Sequence, residues 1–439
     1  MKLKPYPKYK ESGVQWIGEV PEGWMLLKIK YIGNLQNGNG FSEELQGQET
    51  GEIPFLKVSD INNPGTIYLN TSINYVSTKQ VIENRWNIIP VKSILFAKIG
   101  EAINKNHRKI NQLKVIIDNN MSAFIHYKKF NYKYVYYIFK EMDMNDFLNV
   151  SAVPSLNMDL LKSYKFSITL NIEDQQKIAT YLDTKTSQIS KTIEADKRLI
   201  ELLKEKRTAL INHVVTKGLN PKAKMKDSGI EWIGEVPEGW KIVPLLKFLE
   251  SKIDYRGATP EKVLDGVFLI TARNVKGGKI DYEISQEFVL VDQYREIMHR
   301  GKPRIGDLLF TTEAPLGEVA NIDKENVALA QRIIKMRGLS NKLDNYYLKY
   351  FIMSFSFQNH LQSYATGSTA LGIKASNMCF LRLLLPSKPE QIEIYEYLNK
   401  ETSKIDQTIK KIEEKIELLE EYKKSLIHHV VTGKVMVTI

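Results

Sequence analysis

Ser12-Gly-Val-Gln-Trp-Ile-Gly-Glu-Val-Pro-Glu-Gly-Trp24 recurs as Ser228-Gly-Ile-Glu-Trp-Ile-Gly-Glu-Val-Pro-Glu-Gly-Trp240, 216 residues later. Asn212-His-Val-Val-Thr216 recurs as His428-His-Val-Val-Thr432, and Tyr181-Leu182 as Tyr397-Leu398, both at the same offset. Markers that bracket some 200 residues and keep one spacing mean that a whole unit was duplicated. Between them identity fades to a skeleton. Phe55-Leu-Lys-Val-Ser-Asp-Ile61 resembles Phe268-Leu-Ile-Thr-Ala-Arg-Asn-Val275, Ile94-Leu-Phe96 resembles Leu308-Leu-Phe310, and Ile99-Gly-Glu101 resembles Leu316-Gly-Glu318. Constant flanks around a diverged centre suit two copies that dock on identical partners and read different ligands. Four of the five tryptophans, Trp16, Trp24, Trp232 and Trp240, lie in the constant box. They are expected to anchor a core, because a reading surface would diverge with its target.

From Ile172 the chain has no glycine before Gly218 and no proline before Pro221, which predicts one long helix. Ile189, Ile193, Ile200, Leu203, Leu210 and Val214 recur at heptad-like spacing, interrupted by Asp196 and Arg207. The second copy supplies Ile405, Ile409, Ile412, Ile416, Leu419, Leu426 and Val430, with Lys423 at the place of Arg207. Such seams form coiled coils. Helices of roughly 35 to 40 residues, about 55 Å long, are expected to pair antiparallel.

The two intervening regions mix short β-like runs, Val115–Ile117, Ser122–Ile125 and Val327–Ala330, with helical ones, Tyr132–Asn149 and Asp344–Ser363. The expected fold class is α+β, with two pseudo-symmetric globular domains separated by the antiparallel coiled coil. The boundaries are 1–172 and 220–387 for the domains, and 173–219 and 388–439 for the helices. Loops rich in Gly and Asn, at 34–40, 62–65 and 274–279, are where recognition residues collect. They and their neighbours carry side chains that suit base edges and phosphates. In the first copy these are Lys57, Asp60, Asn62, Lys98, Asn104, Lys105, Asn106, Arg108, Asn119 and Asn120. In the second they are Arg273, Asn274, Lys276, Lys279, Thr311, Thr312, Glu313, Gln331 and Arg332. Arg pairs with guanine and Asn or Gln with adenine, while Lys more often holds the backbone.

The formal charge of +11 is unevenly spread. Residues 1–172 hold 21 Lys+Arg against 15 Asp+Glu, and residues 220–387 hold 23 against 19, so the surplus sits in the two globular regions. Two polyanion-binding surfaces need that distribution. The single cysteine, Cys379, excludes an internal disulfide and is expected to be a small core residue. His428 and His429 are a weak metal candidate, because Asn212 replaces the first and no carboxylate stands at helical spacing. The sequence lacks Gly-x4-Gly-Lys-Ser/Thr, an Asn-Pro-Pro-aromatic motif, a Gly-x-Ser-x-Gly elbow and a Cys/His cluster. A non-catalytic chain is therefore expected, with no metal site. No secretory signal or apolar span is visible, which predicts a cytoplasmic protein without membrane contact.

These features resemble the specificity subunit of type I restriction-modification enzymes. The resemblance rests on the doubled tryptophan box, Ile305-Gly-Asp-Leu-Leu-Phe310, the Thr366-Gly-Ser-Thr369 turn, and Pro386-Ser-Lys-Pro-Glu-Gln391 leading into the second helix. The first copy departs, with Val91-Lys-Ser-Ile-Leu-Phe96, Ser151-Ala-Val-Pro154 and Asp174-Gln-Gln176 at those places. The resemblance implies two target-recognition domains, each reading one half of a bipartite asymmetric site in double-stranded DNA, with the helical pair setting the spacer. It also implies docking of two methyltransferase subunits and two motor-nuclease restriction subunits. S-adenosylmethionine for adenine methylation, ATP and magnesium would belong to those partners, leaving this chain without a cofactor.

Overall fold

The computed structural model describes residues 2–15, 17–62, 66–255, 260–367 and 370–438. Trp16, most of the Asn62–Gly65 loop, and Ser368 and Thr369 of the Thr366–Thr369 turn lie outside them. The chain divides into two compact units. One holds residues 1–195 and 414–439, the other residues 196–413.

Both units use one α+β plan. In the first, strands Gly33–Asn37, Met121–His126, Ile94–Ala97 and Arg108–Asn111 lie side by side in that order, antiparallel, with Tyr68–Leu69 added at the edge. In the second, Leu249–Asp254, Ile333–Gly338, Leu308–Thr312 and Leu316–Asn321 repeat the order. A smaller sheet beside each contains a parallel pair, Ile53–Leu56 with Ile116–Ile117 and Val267–Ile270 with Ala328–Leu329. Strands Met25–Lys28 with Lys165–Ile168, and Lys241–Pro244 with Arg382–Leu385, close each domain beside the start of a long helix.

The shared plan corrects two of the internal alignments. The amide of Asp118 bonds the carbonyl of Leu56 as that of Ala330 bonds Ile270, so Leu56 matches Ile270 and Phe55 matches Leu269, not Phe268. The Ile-Gly-Glu likeness is a coincidence: Gly100 precedes a 3-10 turn, whereas Gly317 lies inside strand Leu316–Asn321.

The long helices are Ile172–Lys217, of 46 residues, and Lys388–Val431, of 44. They exceed the expected length because their first turns bury a separate face in the adjoining domain, through Gln175, Ile178, Ala179 and Leu182 in the first. In one unit Lys423 Nζ donates to Ser190 Oγ at 2.6 Å; in the other Arg207 Nε donates to Asp406 Oδ1 at 2.9 Å. Moving toward the start of one helix thus moves the partner toward the end of the other, and the pairing is antiparallel. The seam isoleucines Ile189, Ile193, Ile200, Ile405, Ile409 and Ile416 are buried, as are Leu426, Val214 and Val430, while Leu203, Leu210, Ile412 and Leu419 are half-buried. Arg207 and Lys423 do not break the seam, because each finds a polar partner on the facing helix.

The constant box is a receptor for the end of a long helix. Trp240 and Val236 pack in one core with Val214 and Val215, and Lys217 Nζ donates to the Glu235 carbonyl at 2.5 Å. In the other unit Trp24 and Val20 are buried with Val430 and Val431, and Lys434 Nζ donates to the carbonyls of Ile17 and Glu19 at 2.8 and 2.7 Å. Gly218 and Gly433 end the helices with φ of 76° and 77°, a left-handed conformation that glycine adopts without a Cβ penalty. Helix end and box are repeated together because each is the other's packing partner. Trp232 stacks on His360, ring centroids 4.3 Å apart.

Three local expectations fail for identifiable reasons. The helix expected over Tyr132–Asn149 ends at Glu141, and Asp143 caps a separate 3-10 turn at Met144–Phe147. That over Asp344–Ser363 breaks at Ser354, whose extended backbone and hydroxyl start a second helix, Phe355–Gln362. Cys379 is exposed, its neighbour Met378 filling the core instead.

Two departures of the first copy keep the local shape, at Val91–Phe96 and at Asp174–Gln176. Lys92 (φ 66°) takes the left-handed turn of Gly306 (φ 86°), and Gln175 repeats Gln391, each accepting the amide that starts a domain helix, Asn131 N or Asp344 N at 2.8 Å.

His428 finds a carboxylate far away in sequence: its Nδ1 lies 2.5 Å from Glu141 Oε1. At the matching place Asn212 Oδ1 accepts from Ser356 N and Oγ, both at 2.9 Å. The Glu141 hydrogen bond, opposed by burial and aided by the carboxylate charge, raises the His428 pKa above its ordinary value. The pair's stabilisation is then complete below pH about 6.5 and is lost as pH rises through the raised value. Being partly exposed, it is worth at most about 1 kcal/mol. In thermal unfolding, the advantage of wild type over His428→Asn should shrink from pH 6 to pH 8, whereas Asn212→Ala should show a pH-independent loss.

Candidate nucleic-acid interface

The parallel strand pair positions the candidate side chains. Where its two strands end, the chain turns outward twice, bringing loops some 60 residues apart to one cleft. In the first domain Lys57 follows Leu56, and Asp118, Asn119 and Asn120 follow Ile117. Lys98 joins them because its amide donates to the Asn120 carbonyl at 2.8 Å. In the second domain Thr271 follows Ile270, Ala330, Gln331 and Arg332 follow Leu329, and the Thr312 amide donates to the Arg332 carbonyl at 2.8 Å. The capping contacts match too: Lys57 N to Asp60 Oδ2 at 2.7 Å, Thr271 N to Asn274 Oδ1 at 2.9 Å.

One frame thus carries two sets of side chains. Lys57, Lys98, Asp118, Asn119 and Asn120 in the first domain stand where Thr271, Thr312, Ala330, Gln331 and Arg332 stand in the second. In the second domain Arg273, Gln331 and Arg332 line a cavity of about 250 Å3 together with Lys262 and Glu287, which are ion-paired at 2.7 Å. In the first, burial raises the Asp118 pKa while Asn120 and Lys57 oppose it, and burial lowers that of Lys98. Asn119 is exposed. Lys262 and Glu287 were missed in the sequence, where nothing local marks them as neighbours of the reading loops, and Asp118 was missed although it directly precedes Asn119.

Several sequence candidates have structural roles. Arg108 is almost fully buried and donates to the carbonyls of Asn106 and Met142, at 2.5 Å each, so it cannot reach a base. Its partner Asn106, with φ 57°, also accepts from Met144 N and clasps two loops. Asn274 is fully buried, its amide donating to the carbonyls of Asp281 and Ser285. Asp60 is the matching cap. Thr311 and Thr312 are buried in strand Leu308–Thr312. Lys279 is paired with Asp406 of the second long helix at 3.0 Å, on a hairpin whose Gly277 carbonyl also accepts from Arg207. Asn62 pairs with His107, and Asn104 with Glu101. Lys105, Arg273 and Lys276 are exposed, and Glu313 is ion-paired to Arg332 at 2.7 Å.

Among the described residues no group of three or more His, Cys, Asp or Glu could hold a metal ion, and no helix is long and apolar enough to cross a membrane.

A family model described as the type I restriction modification DNA specificity domain matches residues 21–203 and 279–418, most of the chain and both copies of the repeat. The chain belongs to this family. It is similar over its length to specificity subunits of Methanocaldococcus jannaschii. The MjaVIII subunit is 24% identical, covering 95% of this chain and 94% of that protein, and the putative MjaX subunit 27%, covering 98% of each. The same fold occurs in a chain of a type I R-M system solved for its complex assembly and conformational transition (TM-score 0.68, 12% identity, 94% and 99% covered). It occurs also in the HsdS subunit of Thermoanaerobacter tengcongensis (TM-score 0.52, 13% identity, 94% and 98% covered). A type I specificity subunit recognises a DNA sequence within a restriction-modification system.

Proposed function

We propose that this specificity subunit is a non-catalytic reader of a bipartite, asymmetric site in double-stranded DNA. Domain 1–172 takes one half through the cleft of Lys57, Lys98, Asn119 and Asn120. Domain 220–387 takes the other through Arg273, Gln331 and Arg332. The antiparallel helices set the unread spacer and hold two methyltransferase subunits, and two motor-nuclease subunits complete the restriction assembly. S-adenosylmethionine, ATP and magnesium are used by those partners, in the cytoplasm. The observation that carries this reading is the common backbone frame with exchanged side chains: a single binding geometry is kept while the groups that would meet base edges change.

Sequencing methylated adenines in cells that express this subunit with its methyltransferase tests it. Wild type should give a split motif, and Arg273→Ala with Gln331→Ala should relax one part of it alone. A continuous motif would refute the two-cleft reading.

A further inference from the structure

Arg332 is held from two sides at the cleft. Its φ is 74°, in the left-handed region that large side chains rarely adopt. Thr312 fixes it there, donating both its amide (2.8 Å) and its hydroxyl (3.2 Å) to the Arg332 carbonyl from within a buried strand. The guanidinium is half-exposed and ion-paired at its inner nitrogen, Nε, to Glu313 Oε1 at 2.7 Å. Glu313 continues the same strand and is bridged to Gly372. The next residue, Ala314, is also left-handed, with φ 46°, and lines the same cavity. An unusual backbone held from two sides at a cleft is a mark of pre-organisation.

The ion pair with Glu313 tethers the half-exposed guanidinium at the cavity that Arg332 lines. Two parallel N–H donors match the two acceptors, O6 and N7, on the major-groove edge of guanine. Adenine offers N7 but presents a donor, its N6 amino group, at the other position, so the fork opposes it. At the same frame position the first domain has Asn120, which has no such fork. We infer that the second domain reads a G·C pair through Arg332, with Glu313 as its positioning residue. The inference rests on the proposed reading of that cleft and names one base of its half-site.

The test uses the full chain co-expressed with its methyltransferase, with methylated adenines mapped by sequencing. Wild type should require guanine at one position of the half-site assigned to the second domain. Arg332→Ala should lower that preference roughly tenfold to a hundredfold, leaving every other position as it was. Arg332→Lys keeps the charge and loses the fork, so it should relax the same position, and it decides the matter if the alanine variant fails to fold. Glu313→Gln should relax that position in part, with an unfolding temperature close to wild type. A map unchanged in both Arg332 variants, or relaxed at an A·T position, overturns the inference and leaves the two-cleft reading standing. Changes in both halves at once would instead overturn the reading itself.

Discussion

Replacing Asp307 with alanine is expected to lower the unfolding temperature of the second unit by roughly 6 to 20 °C. Asp307 and Lys335 are 1% and 2% exposed, in the sheet that carries Thr312 and the Arg332 cleft. The carboxylate accepts from Arg337 Nε and Nη2 at 2.6 and 2.8 Å and from the Arg304 amide at 2.9 Å, and lies 3.4 Å from Lys335 Nζ. Burial alone would raise its pKa, but the Arg337 and Arg304 hydrogen bonds and the two cations outweigh that and hold it below the usual carboxylate range. Removing one member of a buried pair leaves the other uncompensated and costs about 3–5 kcal/mol. At about 2–4 °C per kcal/mol, that loss gives the stated shift. Adding Lys335→Met to the alanine variant should recover much of it, because Arg337 can still turn to Glu250, 3.8 Å away. Since the folded pKa is depressed, the Asp307 contribution is constant near neutral pH and is lost only as pH falls through that lowered value. Calorimetry of both variants at pH 7 and at pH about 3 checks sign and size, the difference from wild type shrinking at the lower pH. An alanine variant that melts with wild type would mean that the network is not holding the sheet.

The matching position in the first domain is Ser93, whose amide bonds Asn111 and whose hydroxyl bonds the Pro90 carbonyl. A neutral network therefore does there what an ionic one does in the second domain. This is why Val91-Lys-Ser could replace Ile305-Gly-Asp without changing the turn.

What could be read from the sequence was what depends on local chemistry or literal repetition. The box declared the duplication by identity, and the helices declared themselves by heptads and by the absence of glycine and proline. The break at Ser354 was hidden in an apolar, helix-like run and that at Asp143 in a stretch without glycine or proline, and only their capping bonds set them apart. The polar candidates were harder. Arg108, Asn274, Thr311 and Thr312 look like loop residues by composition, yet all four are buried and their side chains hydrogen-bond within the protein. The gathering of Lys57, Lys98 and Asn119 at one cleft depends on a parallel strand pair that no local pattern announces. The helix-end receptor was likewise invisible, since in the first unit the box and its helix end are more than 400 residues apart.

A second large effect is expected at the helices. Leu202 and Leu418 are equivalent at the offset of 216 and are 45% and 66% exposed, on the side away from the seam. Leu199 and Tyr422 are exposed near them. If two methyltransferase subunits dock on the repeated helices as proposed, Leu202 and Leu418 offer them equivalent apolar positions. Replacing both leucines with glutamate keeps helix propensity and should shift stability by no more than about 0.5 kcal/mol. A charge placed in a desolvated contact should weaken docking by about 2 kcal/mol or more at each site, roughly thirtyfold. The double variant should therefore fail to co-purify with the methyltransferase, and each single variant should retain one copy. Full retention by the double variant would place the docking surface elsewhere.

Two similar clefts, as proposed, read different halves of one site. Methylation maps of Lys98→Ala with Asn119→Ala, set beside those of Arg273→Ala with Gln331→Ala, test it most directly. Complementary maps are expected, the first pair relaxed in one half-site and the second pair in the other, with the spacer unchanged in both. Relaxation of the same positions by both pairs would contradict it.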